Sequence, residues 1–270
     1  MAARRRGGTQ RTVTTDALAV RLTSYAETSA VLVLLTESHG ALHALAKGAK
    51  RTANSFLGPL DKCVLYRVRV APRKGDRLGA LHSATVREAF PRLRTDAPRF
   101  HAAILVLEVA ADLLREDEPH PEFFKLTVFT LKVLDRAPHD RIGLAVALFL
   151  ARAVRLSGHV PELDSCLICG ESAMEERRPL ISPTRGGVLH PSCGRGEPGA
   201  RTIERETLIL LRSLWNLPAA RLLEHPNPPD ALVRELRLRL VDWLQQTLER
   251  RFRAATAADA EISWLGTPRG

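Results

Sequence analysis

The stretch Cys63-Val64-Leu65-Tyr66-Arg67-Val68-Arg69-Val70 ends in a period of two, with valines on one side and two arginines on the other. Successive side chains of an extended chain point to opposite faces, so this alternation predicts a half-buried strand. One face enters a core, and the other carries Arg67 and Arg69 into water. Upstream, Ala17-Leu18-Ala19-Val20-Arg21-Leu22 and Ser29-Ala30-Val31-Leu32-Val33-Leu34-Leu35-Thr36 are short apolar runs with turn residues between them. Ser38-His39-Gly40 makes a tight turn into Ala41-Leu42-His43-Ala44-Leu45-Ala46, where large residues alternate with small ones. Downstream, Pro72-Arg73-Lys74-Gly75-Asp76 is a loop before a fifth run, 78–86. Five short strands in about 75 residues predict a small closed or partly open barrel. Cys63 is expected as a small buried hydrophobe within its strand.

Beyond residue 89 the pattern changes to helical spacing. Asp96-Ala97-Pro98 is a helix-start signal, and Ile104, Leu105, Glu108, Asp112 and Leu113 fit a helix to about residue 115. Pro119 and Pro121 restart a second through Phe123, Phe124, Leu126, Phe129 and Leu134. Pro138 separates a third, about 141–156, which Ser157-Gly158 ends. A cysteine-containing insertion follows, then two helices at about 203–214 and 230–252. The expected organisation is α+β and multidomain: a basic flexible tail (1–12), a barrel domain (13–88), and a helical domain (89–163 with 200–255). A module (164–199) is inserted in the helical domain, and 256–270 is a C-terminal tail.

Composition fits a folded protein: 45% of residues are hydrophobic, and the net charge is +10 with a pI near 10.2. The charge is unevenly placed. Residues 1–95 hold 17 Lys and Arg against 6 Asp and Glu, while residues 96–270 hold 23 against 24. Codon preference for arginine explains the choice of cation but not this placement, so the barrel domain is expected to meet a polyanion. The longest apolar run, 142–151, is flanked by Arg141 and Arg152 and predicts a buried helix, not a membrane span. Arg4, Arg5 and Arg6 are followed by no apolar segment or cleavage site, so a cytoplasmic location is the default expectation.

Three of the four cysteines lie in the insertion. Cys166-Leu167-Ile168-Cys169-Gly170 puts two thiols on one turn, and His190-Pro191-Ser192-Cys193 supplies two more donors twenty residues on. Two such knuckles can close one tetrahedral site, so Cys166, Cys169, His190 and Cys193 are candidate ligands of a single structural zinc ion. Four protein ligands leave no open position for catalysis. Two alternatives stand beside this one. A redox dithiol needs a strand-to-helix junction of thioredoxin type, absent here; a relic site would bind no metal.

Catalytic signatures are missing. The sequence has no Gly-x4-Gly-Lys-Ser/Thr phosphate loop, no Gly-x-Ser-x-Gly, no His-Glu-x-x-His and no paired carboxylates in a cleft-forming loop. The remaining histidines are scattered. The chain therefore reads as a non-enzyme.

Several motifs carry a family resemblance. Tyr25-Ala26-Glu27, Leu34-Leu35-Thr36-Glu37-Ser38-His39-Gly40, Ala46-Lys47-Gly48-Ala49-Lys50-Arg51 and Gly58-Pro59-Leu60 resemble the N-terminal domain of the bacterial RecO family. The run 157–170, Ser-Gly-His-Val-Pro-Glu-Leu-Asp-Ser-Cys-Leu-Ile-Cys-Gly, is similar to that family's approach to its zinc module, and Gly186-Gly187-Val188-Leu189-His190-Pro191-Ser192-Cys193 to its exit. The resemblance covers about 13–250 and departs at His190, where the family pattern usually has Cys. It implies an oligonucleotide-binding (OB) barrel followed by a helical domain with a zinc module. It also implies a recombination mediator that binds single- and double-stranded DNA and anneals strands coated with single-strand-binding protein. With RecR such a protein helps load RecA at gaps, in the cytoplasm at the nucleoid.

On an OB barrel the phosphate-binding candidates are Lys47, Lys50 and Arg51 after the third strand, Arg67 and Arg69 on the fourth, and Arg73, Lys74 and Arg77 before the fifth. Tyr25, Phe56 and Tyr66 are the aromatics between residues 13 and 88, with Phe56 expected in the core. Stacking is then a minor term, and binding should be sequence-tolerant and salt-sensitive. A dock for the acidic tail of single-strand-binding protein would be an apolar groove rimmed by arginine, for example Arg152, Arg155 or the stripe Arg234, Arg237 and Arg239. Rival readings are a zinc-containing DNA- or RNA-binding regulator without annealing activity, a nuclease or helicase subunit, and a peripheral membrane protein. The missing motifs weigh against the second, and charges on strands instead of an amphipathic helix weigh against the third.

Overall fold

Strand β1 (Val13–Tyr25) pairs on one side with β2 (Ser29–Thr36) and on the other with β4 (Val64–Ala71), both antiparallel. β2 continues antiparallel to β3 (Gly40–Ala46), and β4 to β5 (Gly79–Ala89). A short parallel contact, Ala44 to Gly79 and Leu45 to Ala80, joins β3 to β5 and closes the barrel in the order β1-β2-β3-β5-β4. The structure is a computed structural model that describes residues 12–49, 51, 56, 60–72, 78–116 and 118–265. The barrel is closed, as the strand spacing allows, and OB-like, as the resemblance implies. The expected basic tail at 1–12 lies almost wholly outside the described residues.

The period of two explains the barrel's interior. Ala17, Leu32, Leu34, Ala44, Tyr66, Val68 and Val70 point inward and are at most 3% exposed. Alanines alternate with leucines and valines there, which lets five strands close around a narrow centre. Register shifts at Ala19/Arg21, Leu65/Tyr66 and Arg69/Val70 add the local bends that closure needs. Cys63 is buried as expected, but it stands one residue ahead of β4 with φ at 54°.

The chain divides into two compact units: Met1–Ala89 with Leu114–Lys125, and Phe90–Leu113 with Leu126–Gly270. In the first unit, the segment after Leu113 lies along β3. The Ala41 amide donates to the Arg115 carbonyl at 3.0 Å, and Glu116 bridges to Gly40 and Ala41. Gly40 has φ at +63°, and a Cβ there would meet the carbonyl oxygens of Arg115 and Glu118 at 2.4 and 2.6 Å. Only glycine admits so close an approach.

The second unit is helical: α1 (Arg92–Thr95), α2 (Ala97–Leu113), most of α3 (Pro121–Arg136), α4 (Ile142–Leu156), α5 (Arg205–Asn216), α6 (Asp230–Thr247) and α7 (Ala254–Leu265). α4 is buried on all sides from Ile142 to Ala151, as its uninterrupted apolar run predicts, and packs on α2, α5, α6 and α7. Asp96 starts α2 by accepting the Arg99 amide at 3.2 Å. Between α4 and α5 lies a three-stranded sheet, β6 (Leu180–Ser182), β7 (Gly187–Leu189) and β8 (Arg201–Thr202), in the order β7-β6-β8.

One expectation is corrected at the C-terminus. The predicted tail from 256 is helical to Leu265, and α6 stops at Thr247 instead of 252. Phe252, Ala254, Ala258 and Ile262 are all buried, and α7 packs on α2. Glu108 of α2 caps α7, its carboxylate accepting the amides of Arg253 and Ala254 at 2.9 and 2.8 Å. That pairing places acidic charge at a helix N-terminus, where the exposed amides favour it.

Candidate functional site

The Cys-x2-Cys turn is built by the backbone. The Gly170 amide returns to the Cys166 carbonyl at 2.8 Å, and Gly170 takes φ +79°, which ends the turn without strain. The second knuckle follows β7 and repeats the pattern, with the Gly194 amide on the His190 carbonyl at 2.9 Å. The ligand atoms of Cys166, Cys169, His190 and Cys193 all lie within 4.8 Å of one another. The sequence thus named four residues that the fold brings to one point, and they could hold one metal ion.

The electrostatics of the cluster favour a cation. Burial pushes the Cys166 thiol up, but amide hydrogen bonds from Cys169, His190 and Ile168 outweigh it and bring the thiol down to about 6. Nε2 of His190 lies 3.0 Å from the Ser172 carbonyl. A carbonyl only accepts, so Nε2 carries the hydrogen, and Nδ1 faces the Cys169 and Cys193 sulfurs at 3.2 and 3.9 Å. The carbonyl contact raises the His190 pKa, with the Cys166 thiolate adding to it. Such a contact fixes ring and tautomer as metal sites require.

The cationic candidates of the barrel divide three ways. Arg67 and Arg69 are exposed side by side on the outer face of β4, and Lys47 and Arg51 are exposed at the turn after β3. β5 begins beside the ends of both β3 and β4, so Lys47 and Arg69 lie toward the same end of the barrel. Lys50, Arg73, Lys74 and Arg77 lie outside the described residues. Sequence reasoning missed Arg87 of β5, which reaches the Arg67 side of the barrel: its Nε is 4.0 Å from Asp16, and Arg67 is 3.1 Å from the same carboxylate oxygen. The missed signal is the bulge opposite Leu65/Tyr66, which breaks the alternation from which faces are read. Phe56 and Tyr66 are core residues, the Tyr66 hydroxyl held by Asp61, whereas Tyr25 is 56% exposed.

The arginine rims expected on the helices are engaged internally. Arg152 donates to the Leu217 carbonyl and Arg155 to that of Trp215, both at the end of α5. Arg237 is 4% exposed and bonds Asp259 of α7 at 3.2 Å, with Arg234 on the same carboxylate at 3.0 Å. Burial pulls the Arg237 guanidinium down to about 10, against the upward pull of Asp259. Arg239 donates to the Thr202 carbonyl at 3.1 Å. No helix among the described residues is long and apolar enough to cross a membrane.

Comparison with known proteins gives these parts a context. The family model described as Recombination protein O N terminal matches residues 10–90, and Recombination protein O C terminal matches 94–255. A DNA repair protein RecO of Anaeromyxobacter sp. (strain K) is 33% identical over 247 residues, 92% of this chain and 96% of that protein. Those of Rhodopirellula baltica and Syntrophobacter fumaroxidans are 31% and 30% identical, covering 75% and 87% of this chain and 74% and 92% of theirs. The matches run through the barrel and through the helical unit as far as residue 255, and the chain belongs to the RecO family of DNA repair recombination proteins.

Proposed function

We propose that the chain is a recombination mediator that acts without bond chemistry. It binds single- and double-stranded DNA, anneals complementary strands coated with single-strand-binding protein and, with RecR, assists RecA loading at gaps. The observation that carries this reading is the outward pair Arg67 and Arg69 on an OB-like barrel whose aromatics are mostly internal. Cations neutralise phosphates and let two polyanions approach, and base pairing then supplies the driving energy. Few exposed aromatics favour contacts that tolerate any sequence, which suits a protein that meets arbitrary strands. The proposed DNA set is Lys47, Lys50, Arg51, Arg67, Arg69, Arg73, Lys74 and Arg77, with 13–88 as the DNA-binding domain. The setting is the cytoplasm, at the nucleoid.

The test is annealing of strands precoated with single-strand-binding protein, without ATP and across a salt series. Rapid, salt-sensitive annealing that Lys47/Lys50/Arg51→Glu abolishes is expected. Binding without annealing would instead favour a zinc-containing DNA- or RNA-binding regulator.

The four-donor cluster is proposed to hold one structural Zn2+, because three thiols and an imidazole suit that ion and leave it no open position. Within the module Leu180, Ile181, Val188 and Leu189 supply only a small apolar centre, so metal ligation is expected to carry much of its stability. Cys166→Ala with Cys169→Ala should lose the metal and open 164–199 to proteolysis. Unchanged zinc content and an unchanged melt would overturn the assignment.

A further inference from the structure

Strands β1, β4 and β5 lie side by side on the outer face of the barrel, and their register sets an acid among the cations. Asp16 stands opposite Arg67, and Arg67 opposite Thr85; one outward position along, Thr14 stands opposite Arg69 and Arg69 opposite Ser83. On β5, Val86 pairs with Tyr66 and Glu88 with Leu65, so the bulge leaves Arg87 without a ladder partner. Arg67 and Arg87 converge on the same Asp16 oxygen, at 3.1 and 4.0 Å. The Asp16 side chain is 25% exposed, against 50% and 60% for the two arginines, so it is the sheltered member of the group. Among the described residues Arg69 has no ion-pair partner.

We propose that Asp16 is a built-in competitor for nucleic-acid phosphate, occupying the place between Arg67 and Arg87 that a backbone phosphate of single-stranded DNA would take. This rests on the reading of the barrel as the DNA face. A phosphate oxygen and a carboxylate oxygen make the same charge-assisted bonds to guanidinium N–H groups. The carboxylate is tethered beside them, so each binding event must displace it. Three charged groups then contribute one net positive charge, and the face binds more weakly than its arginine count indicates. Weak, exchangeable contacts let a strand be released to its complement, whereas a fully free arginine track would hold it.

The experiment titrates the full-length protein against a fluorescent oligodeoxythymidylate over a salt series, comparing wild type with Asp16→Asn. Asparagine keeps the shape and removes the charge. The variant should bind about three- to fivefold more tightly, the range expected for one exposed charge pair. Its log-affinity against log-salt slope should steepen by about 0.7 for one added phosphate contact on a single strand. In an Arg67→Gln/Arg87→Gln background the same substitution should give no gain, because the carboxylate then masks nothing.

The control is Glu27→Gln in the β1–β2 turn, which changes net charge equally away from this group. An equal gain from Glu27→Gln, or a gain that persists in the Gln background, would reduce Asp16 to general charge and overturn the proposal. Weaker binding by Asp16→Asn would overturn it too, making Asp16 an orienter of the arginines. Failure of the DNA-face reading itself looks different: Arg69→Glu would leave binding unchanged, and the competitor assignment would fall with it.

Discussion

In the barrel, Arg67 and Arg87 keep 50% and 60% of their side chains in water, whereas in the helical unit Arg99 and Arg237 are 5% and 4% exposed. The buried pair is committed to the fold. Arg99 donates to the Leu134 and Ala137 carbonyls at the end of α3 and to Asp96, while Arg237 binds α6 to α7 through Asp259. The exposed pair is committed to no more than one neighbouring acid. A count of arginines therefore says little about function. What distinguishes the two regions is whether the guanidinium has been desolvated and matched to fixed acceptors, as an interior demands.

The strongest way to break this comparison is Asp259→Ala. It leaves Arg237 buried without its counter-charge and should cost about 3 kcal/mol in a urea melt, with DNA affinity unchanged. A variant of normal stability that lost DNA binding would place function among the helical arginines instead. Arg99→Met comes next: two carbonyls at the end of α3 lose their donor, for about 2 kcal/mol.

Asp96→Asn should cost about 1 kcal/mol near neutral pH, since the amide still caps α2 but loses the charged contacts with Arg99 and His139. Burial raises the Asp96 carboxyl, but His139 and Arg99 outweigh it and hold it below its ordinary 3.8. The ionised form thus favours the folded state. Its contribution is full above the ordinary value and is lost as pH falls through the lowered one. Melts of wild type and variant should accordingly converge in acid; a gap that persists there would assign the effect to packing. The smallest stability effect belongs to Arg67→Gln with Arg69→Gln, under about 0.5 kcal/mol, although DNA affinity should fall about tenfold at low salt.

The same contrast explains what could be read from the chain alone. Residues 64–70 announce their strand because each half of the pattern is local, and the four residues of the Cys/His cluster announce their site because each knuckle closes within a few residues. Arg237 carries no such sign. Its partner Asp259 is 22 positions away, on a helix that the sequence pattern does not announce. That helix was itself hidden by composition: Ala254, Ala258 and Ile262 recur at helical spacing, but two of the three are alanines, too small to stand out as an apolar stripe. Its cap comes from Glu108, far outside any local window. The strap of Leu114 onward against β3 is equally nonlocal, and its one local trace is Gly40, which reads equally well as an ordinary turn glycine.

The contact between Glu108 and the start of α7 spans 145 positions, and for a chain made from its N-terminus that distance is also a delay. Every segment of the barrel unit has been synthesised by Lys125. The helical unit begins at Phe90 but cannot be completed until Ala254–Leu265 has left the ribosome. At ordinary elongation rates this interval is on the order of ten seconds, during which the face of α2 that α7 covers has no partner. Nascent chains should therefore carry a finished barrel attached to an open second unit. Chains truncated before α7 are the ones expected to be retained by chaperones.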